Sequence, residues 1–284
     1  MTPPLPLTPM KLGDRLFEWG TRTFVMGIIN TTPDSFSGDG LAGSVEAAVA
    51  QAKRMIREGA DILDVGGEST RPGAEPVSED EELRRTAPVV AAVSRLGVPV
   101  SIDTRRAAVA DAALSAGGSL INDVTALSDA PQMVAIASKH GAAVCLMHMR
   151  GEPRTMQEAP EYADVAREVS DYLRKRAAAL ADAGIPRERM LVDPGIGFGK
   201  TLDHNLDLLN CLDVIRERCK LPVLVGPSRK SFIGRILDLP VEQRIFGTAA
   251  AVAVAVARGA DVVRVHDVAE IAQTARLADA IVRR

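Results

Sequence analysis

From residue 24 onward, short β-branched apolar runs alternate with longer stretches in which apolar residues recur at helical spacing. The runs are FVMGII (24–29), DILDV (61–65), VPVSI (98–102), SLIND (119–123), AAVCLM (142–147), MLVD (190–193), LPVLVG (221–226) and ADVVRV (260–265). Each is followed at once by small or polar residues. Short β-branched runs predict strands, and strands alternating with helical segments predict βαβ units in a parallel sheet. Between them lie segments such as SVEAAVAQAKRMIREG and YADVAREVSDYLRKRAAALADAG, with Ala, Arg and Glu at surface positions. Gly precedes several runs, in REGADI, AGGSLI, KHGAAV and ARGADV. There it predicts the end of a helix.

Eight runs in 284 residues predict a single-domain (β/α)₈ TIM barrel, a fold that typically fills about 250 residues. An open doubly wound sheet is the alternative, but no GxGxxG opens a first helix. Leu12 to Trp19 precede the first run and carry two of the few aromatic residues, predicting a small hairpin under the barrel. Residues 1–20 are accordingly read as N-terminal tail and hairpin start, and 21–284 as the barrel.

Composition narrows the partners. With 34 basic against 37 acidic groups and a net charge of -3, the chain lacks the broad basic surface that nucleic acid or an anionic membrane requires. A small anionic ligand held by a few cations is compatible with that balance. Cys145, Cys211 and Cys219 form no tight spacing, which argues against a disulfide scaffold or zinc site. The N-terminus, MTPPLPLTPMK, does not read as a signal peptide. The longest uncharged apolar run, Ala249 to Ala257, is far short of the roughly 20 residues that span a bilayer. A cytoplasmic location is expected.

In such a barrel the chemistry sits at the C-terminal strand ends. Those positions hold Asn30, Asp64 with GGESTRPG, Asp103, Asn122 with Asp123, His148, Asp193, the trio Ser228, Arg229 and Lys230, and finally Arg264 with His266. Helix capping alone would need polar groups at only one or two ends. A carboxylate accepts two parallel hydrogen bonds from an amidine-like edge, so Asp103, Asn122 and Asp193 suit a heteroaromatic ring edge rich in N–H donors. The alternative for each taken singly is an N-cap. Arg71, Lys230, Arg264 and His266 form a second, cationic set suited to phosphate or pyrophosphate, with a solvated face as the alternative. The loops NTTPDSFSGDG and GGESTRPGAEP read as lids. A third Gly-rich loop, DPGIGFGK, lacks the spacing of a P-loop.

The ordered set MGIINTTPDSFS, DVGGESTRPG, SIDT, NDV, LMHMRG, DPGIGFGK, GPSRKSFIG and RVHDV, spanning about residues 24 to 268, resembles the dihydropteroate synthase family. That resemblance implies a transferase joining p-aminobenzoate to 6-hydroxymethyl-7,8-dihydropterin diphosphate with Mg²⁺, by an SN1-like path. It implies catalytic roles for Asp103, Asp193, Lys230, Arg264 and His266. It puts Asp103, Asn122, Asp193 and Lys230 on the pterin, with Met147, Phe198 and Gly226 lining its slot. It makes Asn30 the Mg²⁺ ligand, and Asn30, Arg264 and His266 the diphosphate site. Phe36, Thr70, Arg71, Pro72 and Ser231 match the p-aminobenzoate pocket. Relatives commonly read SFSDGG where this chain reads SFSGDG, which moves the first-loop acid to Asp39. NTTP likewise replaces the commoner NVTP. A homodimer is also implied, and the Ala/Val-rich GTAAAVAVAVARG is a candidate interface, with packing against the barrel as the alternative. A corrinoid-linked methyltransferase and a catalytically impaired pterin-binding homologue are the competing functions.

Overall fold

The computed structural model describes residues 7–31, 45–69, 76–151, 155–158 and 160–283. A hairpin of β1 (Met10–Leu12) and β2 (Arg15–Phe17) comes first. The barrel strands are β3 (Phe24–Asn30), β4 (Ile62–Gly66), β5 (Val100–Asp103), β6 (Leu120–Asp123), β7 (Ala143–Met147), β8 (Met190–Asp193), β9 (Leu224–Val225) and β10 (Val262–Val265). They pair in parallel in the order β8-β7-β6-β5-β4-β3-β10-β9. The Val192 N–H donates to the Pro222 carbonyl at 3.0 Å, beside a bridge between Val192 and Val223, and so draws β8 to β9 and closes the ring. The (β/α)₈ expectation is met, and the open sheet is set aside. The seventh run is trimmed most, from six residues to two, because Pro222 has no N–H to donate and Gly226 ends the pairing.

Ten helices among the described residues connect the strands. Those that matter below are α2 (Glu79–Val93), α5 (Val165–Asp182), α6 (Leu202–Asn210), α7 (Leu212–Cys219), α8 (Ser231–Leu237), α9 (Ile245–Ala257) and α10 (Val268–Val282). Each shows the sheet one apolar stripe. In α5 that stripe is Val165, Val169, Leu173, Ala177 and Leu180, spaced by three or four residues. No helix among the described residues is long and apolar enough to cross a membrane.

Successive strand residues point to opposite faces, and here the two faces fill different cores. Val25, Leu63, Val65, Ile102, Ile121, Val144, Val192, Val225 and Val263 pack outward against helices. Met26, Ile62, Leu120, Ala143, Cys145, Leu191, Leu224 and Val262 fill the barrel interior together with Met10, Leu12, Phe17 and Trp19 of the hairpin segment. The hairpin therefore closes the barrel bottom, as expected, although its first strand begins at Met10, ahead of the predicted start.

Two sequence echoes, Gly59-Ala60-Asp61 and Gly259-Ala260-Asp261, fix the strand starts. Asp61 accepts the Val25 N–H at 2.9 Å and pairs with Arg22. Asp261, wholly buried, accepts the Val223 N–H at 3.0 Å and takes a fork from Arg216 at 3.0 and 3.3 Å. Each carboxylate thus ties the base of its own strand to the neighbouring one, and a cation balances the charge that burial would otherwise penalise.

Candidate active site

The interior side of the barrel changes character on the way up. In a parallel ladder, partnered residues share a face. Asn122 partners Cys145, Arg264 partners Met26, Asp193 partners Met147 and Asp103 partners Asn122. Cys145 and Met26 belong to the interior core, so Asn122, Arg264 and Asp103 also point inward. Above an apolar floor the strands place Asn30, Asp64, Asp103, Asn122, Met147, Asp193 and Arg264, with Gly226 and His266 just past the strand ends.

Arg264 is the hub. Its Nε donates to Asp64 Oδ2 at 2.6 Å and its Nη2 to Asp103 Oδ2, also at 2.6 Å. Asn122 Nδ2 donates to the same Asp64 oxygen at 3.1 Å. Burial disfavours charge on the guanidinium, but the Asp64 and Asp103 carboxylates outweigh it and push its pKa up. Asp103 is pushed the other way. Burial raises it to about 7, and the carboxylates of Asp64, Glu82 and Asp123 add to that against the pull of Arg264. Asp193 is also raised by burial, with Lys230 and the Gly195 N–H at 2.7 Å opposing. Carboxylates and cations were expected as two separate sets. The structure corrects that: Arg264 sits between two carboxylates, and the charges interleave.

Lys230 lies ahead of α8, its Nζ donating to the Ile196 carbonyl and standing 4.6 Å from the centre of the Phe198 ring. Burial pulls it down to about 8, with Asp193 opposing. His266 receives a second strand-end residue, Ser228, whose Oγ accepts the His266 backbone N–H at 3.2 Å and lies 3.0 Å from its Nδ1. Ser231 is the exposed first residue of α8. Asn30 ends β3, and its side-chain amide bonds to none of the described residues.

Two strand-end residues have structural work instead. Asp123 accepts the N–H groups of Thr125 at 2.8 Å and Leu127 at 2.9 Å, and so holds the turn that follows β6; it caps no helix among the described residues. Arg229 pairs with Asp267. Phe36, Asp39, Thr70, Arg71 and Pro72 lie outside the described residues. Sequence reasoning passed over the role of Asp64, which its even spacing from the core residue Ile62 signalled. It also passed over the pairing of two buried residues, His148 at the end of the fifth run and the lysine that closes DPGIGFGK, Lys200.

This constellation can be matched. The sequence profile of pterin-binding enzymes matches residues 26–266. A dihydropteroate synthase of Synechocystis sp. is 48% identical over 277 residues, covering 97% of this chain and 96% of its own. The chain belongs to the dihydropteroate synthase family. Its fold agrees: the Yersinia pestis synthase, solved as a sulfonamide drug complex, superposes with a TM-score of 0.92 at 41% identity, covering 96% of this chain and 99% of that one. The Burkholderia cenocepacia synthase, solved with 7,8-dihydropteroate, gives 0.86 at 43% identity over 98% and 97% of the two chains. Membership of the family makes the chain an enzyme of the synthase kind, and these synthases leave the methyltransferase alternative without support.

Proposed function

We propose that the protein condenses 6-hydroxymethyl-7,8-dihydropterin diphosphate with p-aminobenzoate to give 7,8-dihydropteroate and pyrophosphate. The observation that carries this reading is the interior polar layer, with buried Asp103, Asn122 and Asp193 above an apolar floor and Arg264 among them. Carboxylates in that setting suit the N–H donors of a pterin edge, and their raised pKa values fall when a cationic ring replaces the lost water.

The reacting centre is a CH₂ whose leaving group is a diphosphate, and the dihydropterin can feed electron density into a developing cation. An SN1-like path follows, in which the protein acts by electrostatics. Asp103 and Asp193 stabilise the cationic pterin. Lys230 donates to a pterin oxygen or ring nitrogen, and Arg264 and His266 meet the charge growing on the leaving group. Met147, Phe198 and Gly226 line the ring slot. Phe36, Thr70, Arg71, Pro72 and Ser231 belong to the p-aminobenzoate side, and Asp39 is assigned as the first-loop acid.

Mg²⁺ fits the donors present. That ion keeps several waters and takes one or two protein oxygens plus substrate phosphates, and the Asn30 amide at the β3 end, which bonds to none of the described residues, offers one such oxygen. Bound there with the diphosphate, Mg²⁺ would supply charge neutralisation on the leaving group. A cytoplasmic homodimer completes the reading. The support for the dimer is the apolar outer face of α9, where Phe246 is 85% exposed.

The deciding assay is incorporation of p-aminobenzoate into dihydropteroate, with strict dependence on the pterin diphosphate and inhibition by a sulfonamide competing with p-aminobenzoate. Pterin binding without turnover would favour the catalytically impaired alternative.

A further inference from the structure

We propose that Lys200 is a positioning residue for the pterin slot, holding the loop from Pro194 to Lys200 against the end of β7. The inference rests on the assignment of Phe198 and Lys230 to that slot.

Lys200 is 2% exposed. Its Nζ donates to the Phe198 carbonyl at 2.9 Å and the His148 carbonyl at 3.3 Å, and lies 3.1 Å from His148 Nδ1. An ammonium has three hydrogens, and three acceptors stand here provided that Nδ1 carries no proton. Burial and the Lys200 charge hold His148 down to about 3, so its ring is neutral, and the ammonium beside Nδ1 selects the tautomer with the proton on Nε2. The His148 ring is itself fixed, edge-on to Tyr172 with centroids 5.0 Å apart. The result is a three-point socket joining two loops that leave different strands.

The loop needs such a socket. Gly195, Gly197 and Gly199 supply no side chains to pack, and both Gly195 (φ 69°) and Gly199 (φ 62°) have left-handed backbone. A Cβ at Gly195 would run into the His148 carbonyl, and one at Gly199 into that of Arg150, so the loop lies flush on residues 148–150. Further bonds hold its flanks: Gln157 Nε2 donates to the Gly197 carbonyl at 2.6 Å, and the Tyr162 hydroxyl to that of Gly199 at 2.9 Å. Lys200 holds the middle, at the carbonyl of Phe198, on whose ring Lys230 rests.

A purely structural role is a poor account of the choice of lysine. Methionine would fill the volume without desolvating a charge, and no carboxylate bonds to Lys200 among the described residues. Burial accordingly pulls its pKa down to about 7. What the protonated lysine adds is three directed donors that tie the Phe198 carbonyl to the carbonyl and ring of His148 at the end of β7.

Lys200→Met in the full chain tests this, with steady-state kinetics in both substrates and calorimetric binding of 6-hydroxymethylpterin. The KM for the pterin diphosphate is expected to rise at least about tenfold, with pterin affinity falling to match, while the KM for p-aminobenzoate stays within about threefold. His148→Phe, which removes one acceptor and keeps the ring beside Tyr172, should fall between Lys200→Met and the unmodified protein. Unchanged pterin affinity in a folded Lys200→Met, or equal rises in both KM values, overturns the proposal. Should Lys200→Met fail to fold, unchanged pterin affinity in His148→Phe overturns it instead. If the unmodified protein makes no dihydropteroate, the reaction assignment fails and the calorimetric comparison still judges the socket.

Discussion

Arg264 and Asp64 meet at 2.6 Å, and the Asp64 side chain beneath the guanidinium is wholly buried. Asp64 carries no assigned contact with substrate. It instead accepts from both Arg264 and Asn122, two residues assigned to the two halves of the pterin diphosphate. The carboxylate therefore sets where the ring edge and the leaving group stand relative to one another.

Replacing Asp64 tests that coupling. Asp64→Ala leaves the partly exposed guanidinium with one carboxylate partner instead of two and takes the Asn122 amide's acceptor away, which should cost about 1–3 kcal/mol of stability. Asp64→Asn keeps the shape and removes the charge, and kcat/KM should fall with it while the fold persists. Denaturant unfolding and steady-state kinetics measured together would check this. Wild-type kcat/KM in Asp64→Asn would show that the ion pair only supports the fold.

Removing the proposed charge-stabilising groups should be more direct. Asp193→Ala and Arg264→Ala are each expected to lower kcat/KM by at least about a hundredfold, or roughly 2.7 kcal/mol of transition-state stabilisation. Near-normal activity in either variant would contradict its assigned role.

The titration of Asp103 gives a pH prediction with a definite sign. Its pKa is raised from an ordinary carboxylate value to about 7, chiefly by burial. The folded state then binds a proton that the unfolded state has already released. The stabilising contribution is full at acid pH and is lost as pH rises towards 7. Activity runs the other way, because only the ionised carboxylate offers two accepting oxygens and a negative charge to the pterin N–H groups. The kcat/KM for the pterin substrate should therefore rise through about pH 7, reporting the free enzyme. In Asp103→Asn the rising limb should disappear along with most of the activity, and the fall in stability between acid and neutral pH should flatten. A rising limb that persists in Asp103→Asn would assign the titration to another group.

Much of this was legible in the chain because a parallel barrel writes both of its faces into strand parity. Met26, Ile62, Leu120 and Leu191 mark the interior side, and counting on by two or four reaches Asn30, Asp64, Asn122 and Asp193. The polar ends were read as a set, but a single strand end does not say whether its side chain turns inward. Asp123 differs from Asn122 by one position and caps a turn instead of facing the interior. The pairing of Arg264 with Asp64 and Asp103 was not legible, since 200 and 161 residues separate the partners and only closure of the ring brings β10 beside β3. Lys200 was missed for the same reason, as its acceptors include a ring and a carbonyl 52 residues away.

The strand-base carboxylates make a stability prediction separate from catalysis. Asp261→Ala removes the carboxylate fork from the buried Arg216 guanidinium and the acceptor of the Val223 N–H, and should cost about 2–4 kcal/mol. The site lies at the other end of the barrel, so the folded fraction should keep its KM values. Asp61→Ala should cost less, because Arg22 is half exposed and can rehydrate. Thermal unfolding of the two variants orders them, and an equal or reversed order would contradict the role assigned to burial.

The assembly prediction turns on α9, which is apolar on every side. Thr248, Ala251, Val252, Ala255 and Val256 are buried against the protein's own core, so the expected packing on the barrel accounts for one face. The other face carries Phe246 and Val254, and the neighbouring α10 adds Leu277 and Ile281, all exposed. A helix that is hydrophobic all round is ordinarily buried all round, and exposed apolar side chains on two neighbouring helices suit an interaction surface. A second copy of the chain is the proposed occupant, in keeping with the homodimer implied for the family. Phe246→Glu places a charge on that face, where association would leave it buried and unpaired. It should convert the dimer to a monomer of unchanged fold, as read by light scattering across a concentration series. A dimer that survives Phe246→Glu together with Leu277→Glu would place the interface elsewhere.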